Sequence, residues 1–409
     1  MELEEAVKKL IAGEIKSYQL SGLLRNEKTS AEARRAYIED KYSVKIKAAA
    51  ETLIDFDDAA KRNIENMIGA VQMPLGYVEM RVDGKESPIF MATTEGKLIA
   101  GINRGASAIN NSGGTKTTAI KNGMSRSVII ETNGGSDSMK AINFINSEEG
   151  KQFLSAEYSK STRRGSLLEI SAYTTGRLLF VRYVADTAAA MGMNMVTIAS
   201  TAMTNSLIEK LNGLGIPSKL ASESGNMCTD KKPAMVNVIM GRGISVVAEA
   251  VVKKEILDKY FKVSASSIEK INYEKNYIGS GLAGSSGHNA QIANILASTF
   301  IAYGQDAAQV VDGSSAFDDV KVQDNGDLYI SVYIPALEVG TFGGGTAREV
   351  QKEMLKASGV YGEGDETGRT KERLASLIAS ASLAGELNLL AAEASSELFK
   401  AHSAIKRGK

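Results

Sequence analysis

The residues most able to do chemistry in this chain are charges set among small or apolar neighbours. Asp230-Lys231-Lys232-Pro233 places two ammonium groups beside a carboxylate just before an apolar stretch, a run that by itself reads as a solvated turn. Gly304-Gln305-Asp306-Ala307-Ala308-Gln309 sets one carboxylate near the end of an otherwise apolar helical stretch. Burying that charge is costly unless a cation answers it, and the lysines are the obvious candidates. A buried Asp–Lys pair is either a structural staple or a proton-transfer device. Glu95, in Ala92-Thr93-Thr94-Glu95-Gly96, lies where a strand feeds a helix, and taken alone it is an acid favoured by the helix dipole. His402, in Phe399-Lys400-Ala401-His402, is on the same footing a solvated residue near the C-terminus. His288 is the only other histidine and Cys228 the only cysteine, so no metal centre built on either residue type is expected.

Two glycine runs invite a phosphate. Gly340-Thr341-Phe342-Gly343-Gly344-Gly345-Thr346 follows an expected strand and precedes a helix, where bare backbone N–H groups can approach a phosphate; a flexible loop is the other meaning. Gly279-Ser280-Gly281-Leu282-Ala283-Gly284 has the G-x-G-x-x-G spacing of a dinucleotide fold. The residues before it, KINYEKNY, are too polar for the buried parallel strand that fold requires, and glycines that let helices pack closely are the stronger reading.

These residues need elements to hold them. Residues 1–63 read as helices, with a capping-box pattern from Thr29 to Glu32. Tyr77 to Val82, an Asp83-Gly84 turn and Ile89 to Met91 predict a hairpin, and a helix is expected from about Glu95. From Val128 the texture becomes a strand, a helix at 135–148, strands at 167–173 and 178–184, and a helix opening near Met191: a small α+β unit. Strands are expected at 236–240, 244–252 and 329–334. A Gly/Ala-rich helix from about Gly284 to Val310 is expected as the spine of the larger unit, and an amphipathic helix at 371–401.

At about 100–200 residues per domain, 409 residues predict two to four domains. The composition, 43% apolar and 23% charged, is that of a globular protein. Lys+Arg and Asp+Glu number 48 each, so no bulk positive field drives binding to nucleic acid or anionic membrane. Arg182 and Asp186 interrupt the stretch taken as most hydrophobic, so no membrane span is expected. The acidic start MELEEAVKKLIAGEIK is unlike a signal peptide, and one cysteine fits a reducing cytoplasm.

Taken together, these segments resemble one family, 3-hydroxy-3-methylglutaryl-CoA (HMG-CoA) reductase, most closely the class of eukaryotes and archaea, without the eukaryotic membrane anchor. The resemblance rests on Glu65-Asn66-Met67-Ile68-Gly69, TTEG at 93–96, Met191-Gly192-Met193-Asn194-Met195, SGNMCTDKKPA at 224–234, the Gly-Gln-Asp-Ala-Ala-Gln segment, GTFGGGT at 340–346 and the terminal histidine, all in family order. It implies a multi-domain α+β chain: an N-terminal helical domain at 1–63, and a large substrate domain at 64–127 and 223–409 around a long central helix. A small ferredoxin-like NADPH-binding domain, 128–222, is inserted into the large one.

The resemblance also implies the reaction, reduction of the thioester HMG-CoA to mevalonate and CoA by two NADPH. Lys231 matches the lysine that donates to the thioester and then the aldehyde oxygen, help worth about 3–4 kcal/mol per donor. Asp306 matches its carboxylate partner. Glu95 matches the acid that protonates the carbonyl oxygen, a role that asks for burial or for Asp306 nearby. His402 matches the group that protonates the departing CoA thiolate. Arg126, Ser224, Asp230, Lys232, Lys275 and Asn294 match substrate-binding positions, Arg104 a contact to CoA phosphates, and Glu65 and Asn66 the CoA and subunit-contact region. For NADPH the matches are Thr162, Arg163 and Arg164 near the 2′-phosphate, the segment Met191, Gly192, Met193 and Asn194, and the loop Gly343, Gly344 and Gly345. The chain departs from the pattern at Ala189, where the family carries an aspartate. A homodimer or homotetramer with shared active sites is implied. A rival reading runs the same fold oxidatively with NAD, against which Arg163 and Arg164 speak; a non-catalytic CoA-binding scaffold and a dehydrogenase using the 279–284 loop are further alternatives.

Overall fold

The computed structural model describes residues 1–24, 27–47, 71–162 and 165–395. Glu65, Asn66, Arg163, Arg164 and His402 lie outside the described residues. Helices α1 (Leu3–Ile11) and α2 (Glu27–Tyr42) precede a hairpin of β1 (Leu75–Val82) and β2 (Lys85–Ala92). Val82 pairs with Lys85, and Asp83 and Gly84 both have positive φ (53° and 81°), the two-residue turn whose twist suits a hairpin. Thr29 lies inside α2, so the expected cap there is not the helix start.

The main sheet turns on one long strand. β3 (Lys116–Thr132) pairs through its first half with β7 (Arg242–Val252), and through its second with β5 (Leu178–Ala185) and β6 (Ser218–Ser222). The change of partner falls at Gly123, whose φ of 79° and 2.8 Å separation between a would-be Cβ and the Ala185 carbonyl oxygen leave room for glycine alone. With β4 (Leu167–Thr175), β8 (Phe317–Val322) and β9 (Leu328–Leu337) the order is β4-β5-β3-β7-β9-β8, β6 lying on β3, and every pairing is antiparallel.

Around the β4-β5-β3-β6 half, α3 (Gly135–Asn146), α4 (Glu148–Ser161) and α5 (Met193–Gly213) cover one face and share a core that includes Val128, Ile130, Ile145, Leu154, Val181, Met203 and Leu207. The expected helix at 135–148 is two helices, because Ser147 ends the first and caps the second through the Gly150 amide. The other core surrounds α6 (Arg369–Ala394), in which every residue from Leu374 to Leu387 is buried. Gly105, in the helix Leu98–Asn111, lets that helix press against α6: a Cβ there would stand 1.9 Å from the Ala384 carbonyl oxygen.

Three expectations are corrected. The spine is α6, expected to be amphipathic; it is long and apolar enough by composition to cross a membrane, yet 89% of its most apolar window is buried inside the protein. The segment 284–310 is broken instead: its helix runs only from Ile292 to Tyr303, and left-handed Gly304 (φ 68°) ends it. Residues 236–240, a β-branched run, lie in the helix Met235–Met240, where Asn237 is tied to Thr229 and tertiary contacts override strand preference.

Candidate active site

The loop between β6 and the helix Met235–Met240 is strained. Asn226, Thr229 and Lys231 have φ of 60°, 53° and 58°, a conformation costing on the order of 1–3 kcal/mol per residue and kept only where surroundings enforce it. Several contacts enforce it. The Gly225 amide donates to the Ser127 carbonyl (2.8 Å), Ser125 Oγ donates to the Cys228 carbonyl (3.2 Å), and the Lys232 amide donates to Asp312 Oδ1 (2.8 Å).

The result is to aim Lys231 Nζ at Asp306 Oδ2, 2.8 Å away. Asp306 is fixed from its own side: Gly304 turns the chain, and Asp306 caps the short turn Ala307–Gln309 by accepting from the Ala308 amide at 3.1 Å. The hydrogen bond that Lys231 donates to Asp306 raises the Lys231 pKa, so the ammonium form is held. Both side chains stay partly open, at 43% and 31% exposure, so a carbonyl oxygen can reach the cation.

Beneath this pair lies a feature the sequence did not announce. Arg242, fully buried at the start of β7, pairs with Asp230 (3.0 Å), Asp312 (3.1 Å) and Glu338 (3.3 Å). Burial tends to raise Asp230, but the Gln309 amide (2.8 Å) and Arg242 outweigh it and hold this carboxyl below its usual range. Asp312 is pushed up to about 6, and Glu338 well above its ordinary value, by burial that the shared guanidinium does not offset. One cation cannot neutralise three carboxylates. A carboxylate within the apolar run Ile334-Pro335-Ala336-Leu337-Glu338-Val339 was the available signal for a buried acid; Arg242, between two glycines, gave none.

Arg242 also reaches the proposed cofactor side: Nη2 donates to Met193 Sδ at 3.1 Å. α5 opens at left-handed Gly192 (φ 86°) with no side-chain cap, leaving its first amides available, and Asn194 is exposed there. The glycine loop joins the two sides. Thr341 donates its amide to the Ala189 carbonyl (2.8 Å), Gly340 exchanges hydrogen bonds with the Gln305 side chain (2.7 and 2.9 Å), and a Cβ on Gly345 would lie 2.4 Å from the Gly304 carbonyl oxygen. Gly343 and Gly344 are exposed with open space where a side chain would stand. Bare backbone facing open space, beside an uncapped helix start, fits the phosphates and carboxamide of a nicotinamide dinucleotide.

Other expected residues stand apart. Glu95 is exposed, its amide donating to Thr93 Oγ1, and the burial expected of it is not found within one chain; no contact among the described residues joins it to Lys231 or Asp306. Its helix begins later than expected, at Leu98. Arg104 donates to the Tyr260 carbonyl, lies over Phe261, and lines a cavity of about 860 Å³ of mixed charge, with Lys16, Lys41 and Arg81 beside Asp40, Glu79 and Glu86. Lys275 pairs with Glu393 at 2.6 Å. Arg126 has a buried Nε without a hydrogen-bond partner among the described residues, Asn294 is exposed on its helix, Ser224 sits in a turn closed by Ser222, Lys232 Nζ donates to the Asp230 carbonyl, and Thr162 ends α4. Among the described residues nothing lies within 4 Å of a would-be Cβ on Gly281 or Gly284, and they follow a π-helical segment, Asn272–Gly279, not a strand, so the dinucleotide reading lacks the strand it requires.

The family model for hydroxymethylglutaryl-coenzyme A reductase matches residues 30–407. Among curated relatives, the 3-hydroxy-3-methylglutaryl-coenzyme A reductase of Aeropyrum pernix is 43% identical, over 99% of this chain and 96% of that one. That of Pyrococcus horikoshii is 40% identical over 100% and 99%. Among solved structures, a class II reductase from Streptococcus pneumoniae, bound to NADPH in open conformations, has a TM-score of 0.64 at 17% identity and covers 93% of this chain and 98% of its own.

Proposed function

The chain belongs to the hydroxymethylglutaryl-coenzyme A reductase family, and from that premise we propose that the Lys231–Asp306 pair is the centre of its chemistry. The enzyme reduces HMG-CoA to mevalonate in the mevalonate pathway, with NADPH as reductant. A thioester becomes an alcohol by gaining four electrons, so two reductions share one set of residues. NADPH, when bound, supplies a hydride to the carbonyl carbon in each.

Lys231 donates a hydrogen bond to the carbonyl oxygen as negative charge grows there, first on the thioester and then on the aldehyde. Asp306 holds the ammonium in its charged form and in position. Glu95 gives the proton that turns the final alkoxide into an alcohol, and His402 protonates the departing thiolate sulfur. Lys232 and Arg126 answer the free carboxylate, with Ser224, Asp230, Lys275 and Asn294 around the hydroxymethylglutaryl end. Glu65, Asn66 and Arg104 serve CoA. The segment at 191–194, the loop at 343–345, and Thr162, Arg163 and Arg164 hold NADPH, the guanidiniums favouring the 2′-phosphate.

The domain scheme of 1–63, 64–127 with 223–409, and 128–222 is supported by the separate core behind the β4-β5-β3-β6 sheet, whose order is that of a ferredoxin-like unit. A homodimer or homotetramer with shared sites is supported by the exposure of Glu95 and by exposed Met235, Ile239, Tyr273, Ile278 and Leu282. A cytoplasmic site of action accords with the lone, free Cys228.

The observation that carries this mechanism is the 2.8 Å ion pair held open by a strained loop. Its test follows nicotinamide absorbance with HMG-CoA and NADPH or NADH while measuring mevalonate and free thiol. Two NADPH oxidised per CoA released is expected, with turnover lowered at least about a hundredfold by Lys231→Ala and strongly by Asp306→Ala; undiminished turnover in either variant contradicts the assignment.

A further inference from the structure

Lys371 occupies an unfavourable position twice over. It lies in the first turn of α6, where the helix dipole opposes a cation, and only 5% of it is exposed. No carboxylate among the described residues lies within ion-pair range. Burial lowers its pKa to about 8, although Asp186 on the facing loop and Glu372 and Asp365 on its own side pull upward; Lys121, on β3, pushes with burial.

What the ammonium touches is the turn at 187–191. Nζ donates to Thr187 Oγ1 at 3.0 Å and to the Ala190 carbonyl at 3.2 Å, while Thr187 Oγ1 donates to the same carbonyl at 2.7 Å. Ala188 is left-handed (φ 51°), so the turn needs outside support. More comes from the same region: Thr370 Oγ1 bonds Thr341 Oγ1 (2.7 Å), Thr341 holds the Ala189 carbonyl, and Asp365 fixes Thr370 through its amide and hydroxyl (2.8 and 2.7 Å). This turn leads directly into Met191-Gly192-Met193-Asn194. At its centre stands Ala189, which has no side-chain polar group of its own.

We propose that Lys371 is a positioning residue for the nicotinamide cofactor, its ammonium clamping the 187–191 turn, and with it the start of α5, onto the N-terminus of α6. The inference rests on the reading of 191–194 as the dinucleotide segment. The clamp ties that segment to the helix at the heart of the larger core, so the cofactor side is held in register with Lys231 and Asp306.

The test compares Lys371→Met, which keeps the apolar stem, with Thr187→Val and Asn194→Ala in the full-length protein, varying NADPH and HMG-CoA separately. Lys371→Met should raise the KM for NADPH about tenfold, from loss of two charge-assisted hydrogen bonds, with the KM for HMG-CoA unchanged within about twofold. Thr187→Val should move the NADPH KM in the same direction by less. In the unmodified enzyme kcat/KM for NADPH should fall above pH about 8, as the ammonium loses its charge; in Lys371→Met that limb should be flat. An unchanged NADPH KM in Lys371→Met, or equal rises in both KM values that follow a lowered Tm, overturns the clamp. If Lys371→Met does not fold, Thr187→Val and the pH profile of the unmodified enzyme decide: no change in the first and no alkaline limb in the second also overturn it. Asn194→Ala separates the two readings. A raised NADPH KM there, with Lys371→Met and Thr187→Val silent, removes the clamp alone; no effect of Asn194→Ala removes the dinucleotide assignment beneath it.

Discussion

Lys231 and Asp306 depend on each other unequally: the carboxylate keeps the ammonium charged and in place, and the ammonium does the work on the carbonyl. Lys231→Ala should therefore lower kcat by about 10²–10³, and Asp306→Asn by less, while far-UV circular dichroism and Tm stay near those of the parent. Equal, small effects on kcat with a large drop in Tm would make the pair a staple instead. Arg242 is the opposite case, a residue whose loss should be felt first in folding. Arg242→Met leaves Asp312 and Glu338 buried without the guanidinium they share, and truncating one side of a buried pair costs about 3–5 kcal/mol, readable in a denaturant titration. The same cluster sets a pH dependence. Asp312 has a folded pKa of about 6, above its ordinary 3.8, so the native state binds more protons than the unfolded chain between those values. Its contribution to stability is therefore fully present below pH 3.8 and is lost as pH rises through about 6. Asp312→Asn should flatten that slope when stability is measured from pH 4 to 7; an unaltered slope would remove Asp312 as its source.

At the scale of elements, the glycine loop and the break at Gly304 act as one joint, because Gly304 and Gly345 each stand where the other's backbone would meet a Cβ. Gly345→Ala must push the Gly304–Asp306 segment aside. Overpacking of this kind costs about 1–3 kcal/mol, and kcat should fall further than that loss of stability explains; a variant destabilised but fully active would uncouple the loop from the pair. This joint also marks how far the sequence could be read. Asp306 is legible because a charge contradicts its apolar surroundings, whereas Lys231, in a run that by itself reads as a solvated turn, and the glycine run gain their roles only from the family resemblance. Arg242 is not legible, since Gly241-Arg242-Gly243 has no apolar neighbour to contradict. The hairpin and the strands β4 and β5 follow from two-residue periodicity and turn chemistry, but β6, a five-residue strand held by pairing with β3, is not anticipated. Sequence pattern extends the helix at 292–303 too far: left-handed Gly304 is a local stop, but the late start depends on the approach of residues 287–289 to β8, which is not local. α6 was read as amphipathic because helical period alone does not reveal that packing against two sheet strands, β7 and β9, and the helix Leu98–Asn111 buries its polar serines too.

At the scale of the whole molecule, one chain brings together Lys231, Asp306, Arg242, Met193 and the glycine loop, but leaves Glu95 exposed and outside that group. An acid that must hand over a proton has to come within hydrogen-bond reach of the carbonyl oxygen. Either closure of the chain or a second copy must supply that approach, and exposed Met235 and Ile239, next to the catalytic loop, favour the copy. If sites are shared, two inactive variants can repair each other. Lys231→Ala and Glu95→Gln are each expected to be nearly inert; in a one-to-one mixture allowed to exchange subunits, about half of the dimers are mixed. Each mixed dimer has one intact site in two when Glu95 and Lys231 of a site come from different chains, so activity should rise to about a quarter of the parent's. If both residues of a site come from the same chain, each mixed dimer still carries one defect per site and the mixture stays inert. Light scattering during the exchange reports whether the particles are dimers or tetramers, and Leu282→Lys, placed on the exposed apolar stretch, should shift them toward monomers if that surface is the contact. Recovery of activity together with that shift would place the missing proton donor on the partner subunit; an inert mixture of demonstrably exchanged subunits would return it to a closing movement within one chain.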